Sequence, residues 1–120
     1  MRGSAVEASM TDVLSAVAGE LGLAQSACVR LDGALGDLLS AATADQRGAV
    51  IRELHAVDLL NQQIAALAGF VGRLSGLAGG IEVEVGDALA AITLGDVAAR
   101  ITSGVGGPPP EDAEADVDFF

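Results

Sequence analysis

At 120 residues the chain can form one modest domain, half of it apolar, yet it has three Phe and neither Trp nor Tyr. Its apolar residues are mostly Ala, Leu, Val and Ile, which suits close-packed helices better than a sheet. The net charge is −11, with six Arg and no Lys, so a nucleic-acid ligand and an anionic membrane surface are both excluded for want of a basic face. A partner site built around Lys or Arg is the electrostatic complement.

The N-terminal Met1-Arg2-Gly3-Ser4 reads as a leader, with Met10 as a second candidate start, and residues 1–9 are expected to lie outside the fold. A first helix is predicted from Thr11 to Thr43. Val13, Val17, Leu21, Ala24, Cys28, Leu31, Leu35 and Leu38 recur at three- and four-residue steps, and Thr11 or Ser9 would cap them. Gly19, Gly22, Gly33 and Gly36 are costly inside a helix, and they are expected to mark close approach of a second helix. Cys28, the single cysteine, reads as a buried and inert thiol.

The break falls at 43–48, and a second helix is predicted from Gln46 to Leu77. Val50, Val57, Ile64 and Val71 hold one heptad position. Leu60, Leu67 and Leu74 hold the other, with Glu53 as the polar exception. The apolar run from Ile64 to Ile81 is interrupted by Arg73 and five Gly, so no membrane span is expected and the chain reads as cytoplasmic. Glu82 to Ser103 is predicted as a third helical region, broken near Thr93, whose hydroxyl would cap a short helix from Leu94 to Ile101. There Asp96 and Arg100 would form an i,i+4 ion pair. Residues 104–120 open on Gly and Pro, carry five acidic residues and are predicted to be a flexible acidic tail, leaving 10–103 as the helical domain.

Two long helices joined by a short turn make an antiparallel hairpin, which alone cannot cover both apolar stripes. The predicted fold is therefore all-α: a homodimer in which each long helical hairpin contributes to a four-helix bundle, with a short C-terminal helical region added. In that register Asp58 takes position b and Gln62 position f, both facing away from the seam. Leu59 and His55 flank them on the outer face. The same spacing also arises on ordinary solvated helix faces. Yet a carboxylate can hold a cation on a partner while a carboxamide one turn away holds a water. Phosphoryl transfer depends on positioning and charge stabilisation more than on strong basicity, so a neutral amide is competent for the second task.

The segment His55-Ala-Val-Asp58-Leu-Leu-Asn-Gln62-Gln-Ile64 resembles the active-site helix of the CheZ family, dimeric helical-hairpin phosphatases of the chemotaxis response regulator CheY. The small size and the Thr93–Ile101 segment are more similar to the alphaproteobacterial CheT-type relatives. The resemblance implies that Gln62 orients the attacking water and that Asp58 contacts the regulator's Lys; Leu59 and His55, beside them on the outer face by helical register, are expected to join the contact. It also implies that the CheY-like response regulator brings the Mg²⁺ and that the chain needs no cofactor or metal of its own. Its acidic, aromatic end, Asp116, Val117, Asp118, Phe119 and Phe120, is similar in character to the peptide with which CheZ-type proteins dock on the regulator.

Two other functions remain open from the residues. The same face and tail would serve a non-catalytic adaptor that binds a response regulator or another chemotaxis protein. An exposed His55 on a four-helix bundle would serve phosphotransfer.

Overall fold

The computed structural model describes residues 6–106. It is predominantly helical, in the order β1 (Glu7–Ser9), α1 (Met10–Ala41), α2 (Ala44–Leu77), β2 (Glu82–Glu84), α3 (Gly86–Ala90) and α4 (Gly95–Gly104). The long helices α1 and α2 pack against each other, and the contacts divide the chain into two units. One holds Leu21–Gly69; the other holds the described residues up to Glu20 and from Phe70 onward.

The Leu21–Gly69 unit is the antiparallel pairing of α1 and α2 across a two-residue link, Ala42–Thr43. Thr43 and Gln46 form the turn chemistry. The Thr43 amide donates to Gln46 Oε1 at 3.1 Å, while the Thr43 carbonyl accepts from the amides of Gln46 and Arg47. This satisfies groups that a helix start otherwise leaves without partners. Arg47 closes the link by donating to the Leu39 carbonyl at 3.1 Å. The break is therefore shorter than the sequence suggested, because Ala44 and Asp45 already belong to α2.

Within this unit the buried side of α2 is Val50, Leu54, Val57, Asn61, Ile64 and Ala68, with Val57 most enclosed. The stripe thus steps by four and three from each Val or Ile, as a one-helix-wide contact requires. The second predicted row does not share it: Leu60 and Leu67 are each about half exposed. Cys28 of α1 is buried, as expected of a small apolar side chain at the seam.

In the other unit the N-terminal residues are structural. Val6–Ser9 belong to the fold, which corrects the expectation for 1–9 over these four positions. Glu7–Ser9 pair antiparallel with Glu82–Glu84, and Ala8 is buried. Alternating Glu-Val-Glu is a strand pattern, and it replaces the helix expected from Glu82. Ala8, Val85 and Val105 form the core, with Val13, Ala16, Leu89 and Ile101 among the side chains packed on it. Ser9 Oγ accepts from the Asp12 amide at 3.0 Å and so provides the cap of α1. Gly80, at φ +86, makes the left-handed turn out of α2 that a side chain would strain.

Polar contacts tie the same unit together. Ser75, buried near the end of α2, donates to the Thr11 carbonyl at 3.0 Å and lies 2.7 Å from Ser15 Oγ. Arg100 of α4 makes a two-pronged ion pair with Glu20 of α1, at 2.6 and 2.9 Å, and a looser one with Asp96 at 3.6 Å. The Glu20 hydrogen bond raises the guanidinium pKa further above its already high value. The helix Gly95–Gly104 has no side-chain cap; Leu94, not Thr93, is its N-cap residue.

The helical glycines divide by environment. A Cβ at Gly104 would meet Ala16 Cβ at 3.1 Å, a genuine close approach of α4 to α1. Gly19, Gly22, Gly33 and Gly36 have nothing within 4 Å, so the close approach expected there is not made among the described residues. Gly104→Ala is therefore expected to destabilise by about 1 kcal/mol, and Gly33→Ala to stabilise by about 1 kcal/mol. Urea denaturation of the two variants beside the wild type reads both signs.

Candidate functional site

An α-helix turns by about 100° per residue, so Asp58 lies one step to one side of the buried Val57, while Leu60 lies about 60° to the other side. The same geometry holds on α1 around buried Cys28, with Val29 on the first side and Leu31 on the second. In an antiparallel pair these sides coincide across the seam. Asp58 and Val29 therefore share one face of the Leu21–Gly69 unit, and Leu31, Leu38, Leu60 and Leu67 share the opposite one. All four leucines are about half exposed.

On the first face the structure brings the two principal candidates together. Gln62 Nε2 donates to Asp58 Oδ2 at 3.0 Å, and both side chains are exposed. A carboxylate can only accept, so the amide nitrogen must be the atom turned toward it and Gln62 Oε1 is left as the acceptor. The backbone beneath is uninterrupted α-helix, which fixes both Cβ positions without help from a loop. Leu59 is 55% exposed, and His55 is exposed one turn before Leu59. His55 makes no contact with the Asp58–Gln62 pair that a hydrogen bond would record. The four residues form an outer surface, with only Asp58 and Gln62 joined. Asp116, Val117, Asp118, Phe119 and Phe120 lie outside the described residues.

A recess of about 90 Å³ adjoins Asp58 between the helices, lined by Cys28, Val29 and Asp32 of α1 and Val57, Asp58 and Asn61 of α2. Asn61 Oδ1 is the buried side-chain polar atom that has no hydrogen-bond partner among the described residues. Sequence reasoning passed over Asp32 and Asn61. The available signal was Asn61 itself, a polar residue four positions from Val57 on the buried stripe.

A family model for a domain of unknown function (DUF8776) matches residues 6–120. The chain belongs to the DUF8776 family. No curated protein and no solved structure matches it. The DUF8776 match starts at Val6, the residue whose carbonyl accepts from the Val85 amide beside the strand pair. Among the described residues no helix is long and apolar enough to cross a membrane.

The exposure of the pair has a direct consequence for experiments on this DUF8776 chain. An i,i+4 Gln–Asp hydrogen bond on a solvated helix contributes only about 0.2–0.5 kcal/mol. Asp58→Ala and Gln62→Ala are each expected to shift unfolding free energy by less than about 0.5 kcal/mol. Thermal melts that superimpose on the wild type would qualify both variants as probes of function.

Proposed function

We propose that the protein accelerates hydrolysis of the aspartyl phosphate of a CheY-like response regulator, using Gln62 and Asp58 from the exposed face of α2. The observation that carries this reading is the Asp58–Gln62 hydrogen bond on an exposed helix. It pre-arranges a carboxylate and a carboxamide at the spacing the CheZ resemblance requires.

The regulator supplies the phosphorylated Asp, Mg²⁺ and a Lys. Water attacks phosphorus in line, and the P–O bond to the regulator's Asp breaks, releasing the carboxylate and inorganic phosphate. Gln62 Oε1 accepts a hydrogen bond from that water and aligns its lone pair on phosphorus. Once Asp58 turns to the regulator's Lys, Gln62 Nε2 is free to donate to a phosphoryl oxygen. Because the transition state is loose, orientation by a neutral amide is sufficient and no strong base is needed.

The working form in this reading is a homodimer. Leu31, Leu38, Leu60 and Leu67 form a half-exposed apolar face opposite Asp58, and a second hairpin laid on it would complete a four-helix bundle. Such a bundle leaves the Asp58–Gln62 faces of both protomers open. The acidic end, Asp116 to Phe120, would tether the regulator near them.

The deciding measurement is the lifetime of phosphorylated CheY-like regulators from the same organism. The wild type is expected to shorten it, and Gln62→Ala to lose that effect while still binding. Binding with no change in lifetime would make the protein an adaptor. Transfer of phosphate to His55, lost in His55→Gln, would make it a phosphotransfer protein. The dimer has its own test. Leu60→Glu with Leu67→Glu is expected to give a monomer in analytical ultracentrifugation, with the wild type sedimenting as a dimer.

A further inference from the structure

We propose that the recess beside Asp58 is a socket for a lysyl side chain of the partner, and that Asp32 of α1 is a second determinant of partner specificity. This rests on the reading of Asp58 as the contact for the regulator's Lys, and it adds a residue from the other helix. The walls of the recess are Cys28, Val29 and Val57, all apolar, while one carboxylate comes from each helix, Asp32 and Asp58. A lysyl side chain has the same division, a four-carbon stem ending in a compact ammonium with three donors. Among the described residues the ion pairs belong to Arg100, and neither aspartate has a basic partner there.

Asn61 supplies an observation independent of charge. Its Oδ1 is enclosed without a hydrogen-bond donor, an arrangement that folded proteins rarely leave unexplained. Asn61 also lines the recess, where an entering ammonium would bring the donor that Oδ1 lacks. The three donors of the ammonium then meet three acceptors, on Asp32, Asp58 and Asn61. A lysine that met Asp58 alone would sit on the open surface, where a single ion pair contributes little. Seated between two helices its stem packs on Cys28, Val29 and Val57, and the two carboxylates discriminate against a partner with an apolar or acidic residue at that place.

The test uses the full chain and the phosphorylatable CheY-like regulators of the same organism, with binding and turnover measured for Asp32→Asn, Asp58→Asn and Asp37→Asn. Asp37 is another exposed aspartate of α1 and controls for the general effect of removing one negative charge. Asp32→Asn is expected to weaken regulator binding about tenfold. It should raise KM by a similar factor while leaving kcat unchanged, since Gln62 is untouched. Asp37→Asn is expected to stay within about twofold of the wild type. Methyl resonances of Val29 and Val57 should shift on adding regulator, and should do so equally in Gln62→Ala, which separates seating from catalysis. If Asp32→Asn matches Asp37→Asn while Asp58→Asn loses affinity, the socket is wrong and the phosphatase or adaptor reading stands. If no regulator binds the wild type, the socket and that reading fall together.

Discussion

Antiparallel pairing of α1 with α2 is the constraint from which the candidate site follows. The Thr43–Gln46 cap and the two-residue link fix how the helices enter the pair, and one stripe from each is buried. With Val57 committed to the seam, helix geometry leaves no freedom for its neighbours. Asp58 must emerge on one side and Leu60 on the other. The functional candidates are therefore outward-facing because of an apolar residue beside them. A one-residue change in register would bury the carboxylate, which the seam cannot accommodate without a counter-charge.

That same constraint explains why the hairpin is incomplete by itself. A helix–helix contact is roughly one stripe wide, and α2 carries apolar residues over a wider arc than one contact covers. Val50, Val57 and Ile64 satisfy the intrachain seam, so Leu60 and Leu67 are left half exposed. Periodicity placed the two rows of α2 at heptad positions a and d, and the hairpin alone was not expected to cover its apolar stripes. Within the chain's own helix pair α2 uses a and e, with Leu54, Asn61 and Ala68 taking the places of the leucines. The sequence contained both stripes; assigning one to the chain and one to the outside required the geometry of the pair.

The parts read well from sequence were those governed by local chemistry. Both long helices ended within two residues of their expected bounds, α2 starting two residues early at the Thr43–Gln46 cap. The parts misread depended on contacts distant in the chain. Val6–Ser9 look like the end of a leader until Glu82–Glu84 arrive beside them, and neither strand would exist without the other. Arg100 was matched with Asp96 because the spacing is helical, yet its shorter contacts go to Glu20, eighty residues away. Among the glycines, Gly104 touches α1, while a Cβ at any of the four glycines inside α1 would touch nothing among the described residues. Helical cost alone does not say which glycine a neighbour requires. For the site, Asp58 and Gln62 could be paired by counting along one helix. Asp32 and Asn61 could not, because the recess exists only where two helices meet.

In the proposed reading the site divides chemistry between two proteins, and the division suits what the chain is made of. An exposed amide and carboxylate on a regular helix need no buried ionisable group, so the fold bears little electrostatic strain in keeping them. Their positions are held by some thirty residues of continuous helix, and both can be replaced without emptying a core. What such a face lacks is the capacity to bind a small substrate by itself, because it is exposed and its recess holds only about 90 Å³. In the proposed reading affinity comes from the regulator that covers it. A chain of net charge −11 without a single Lys is suited to that arrangement, since a basic centre on the partner is then the complementary half of the site.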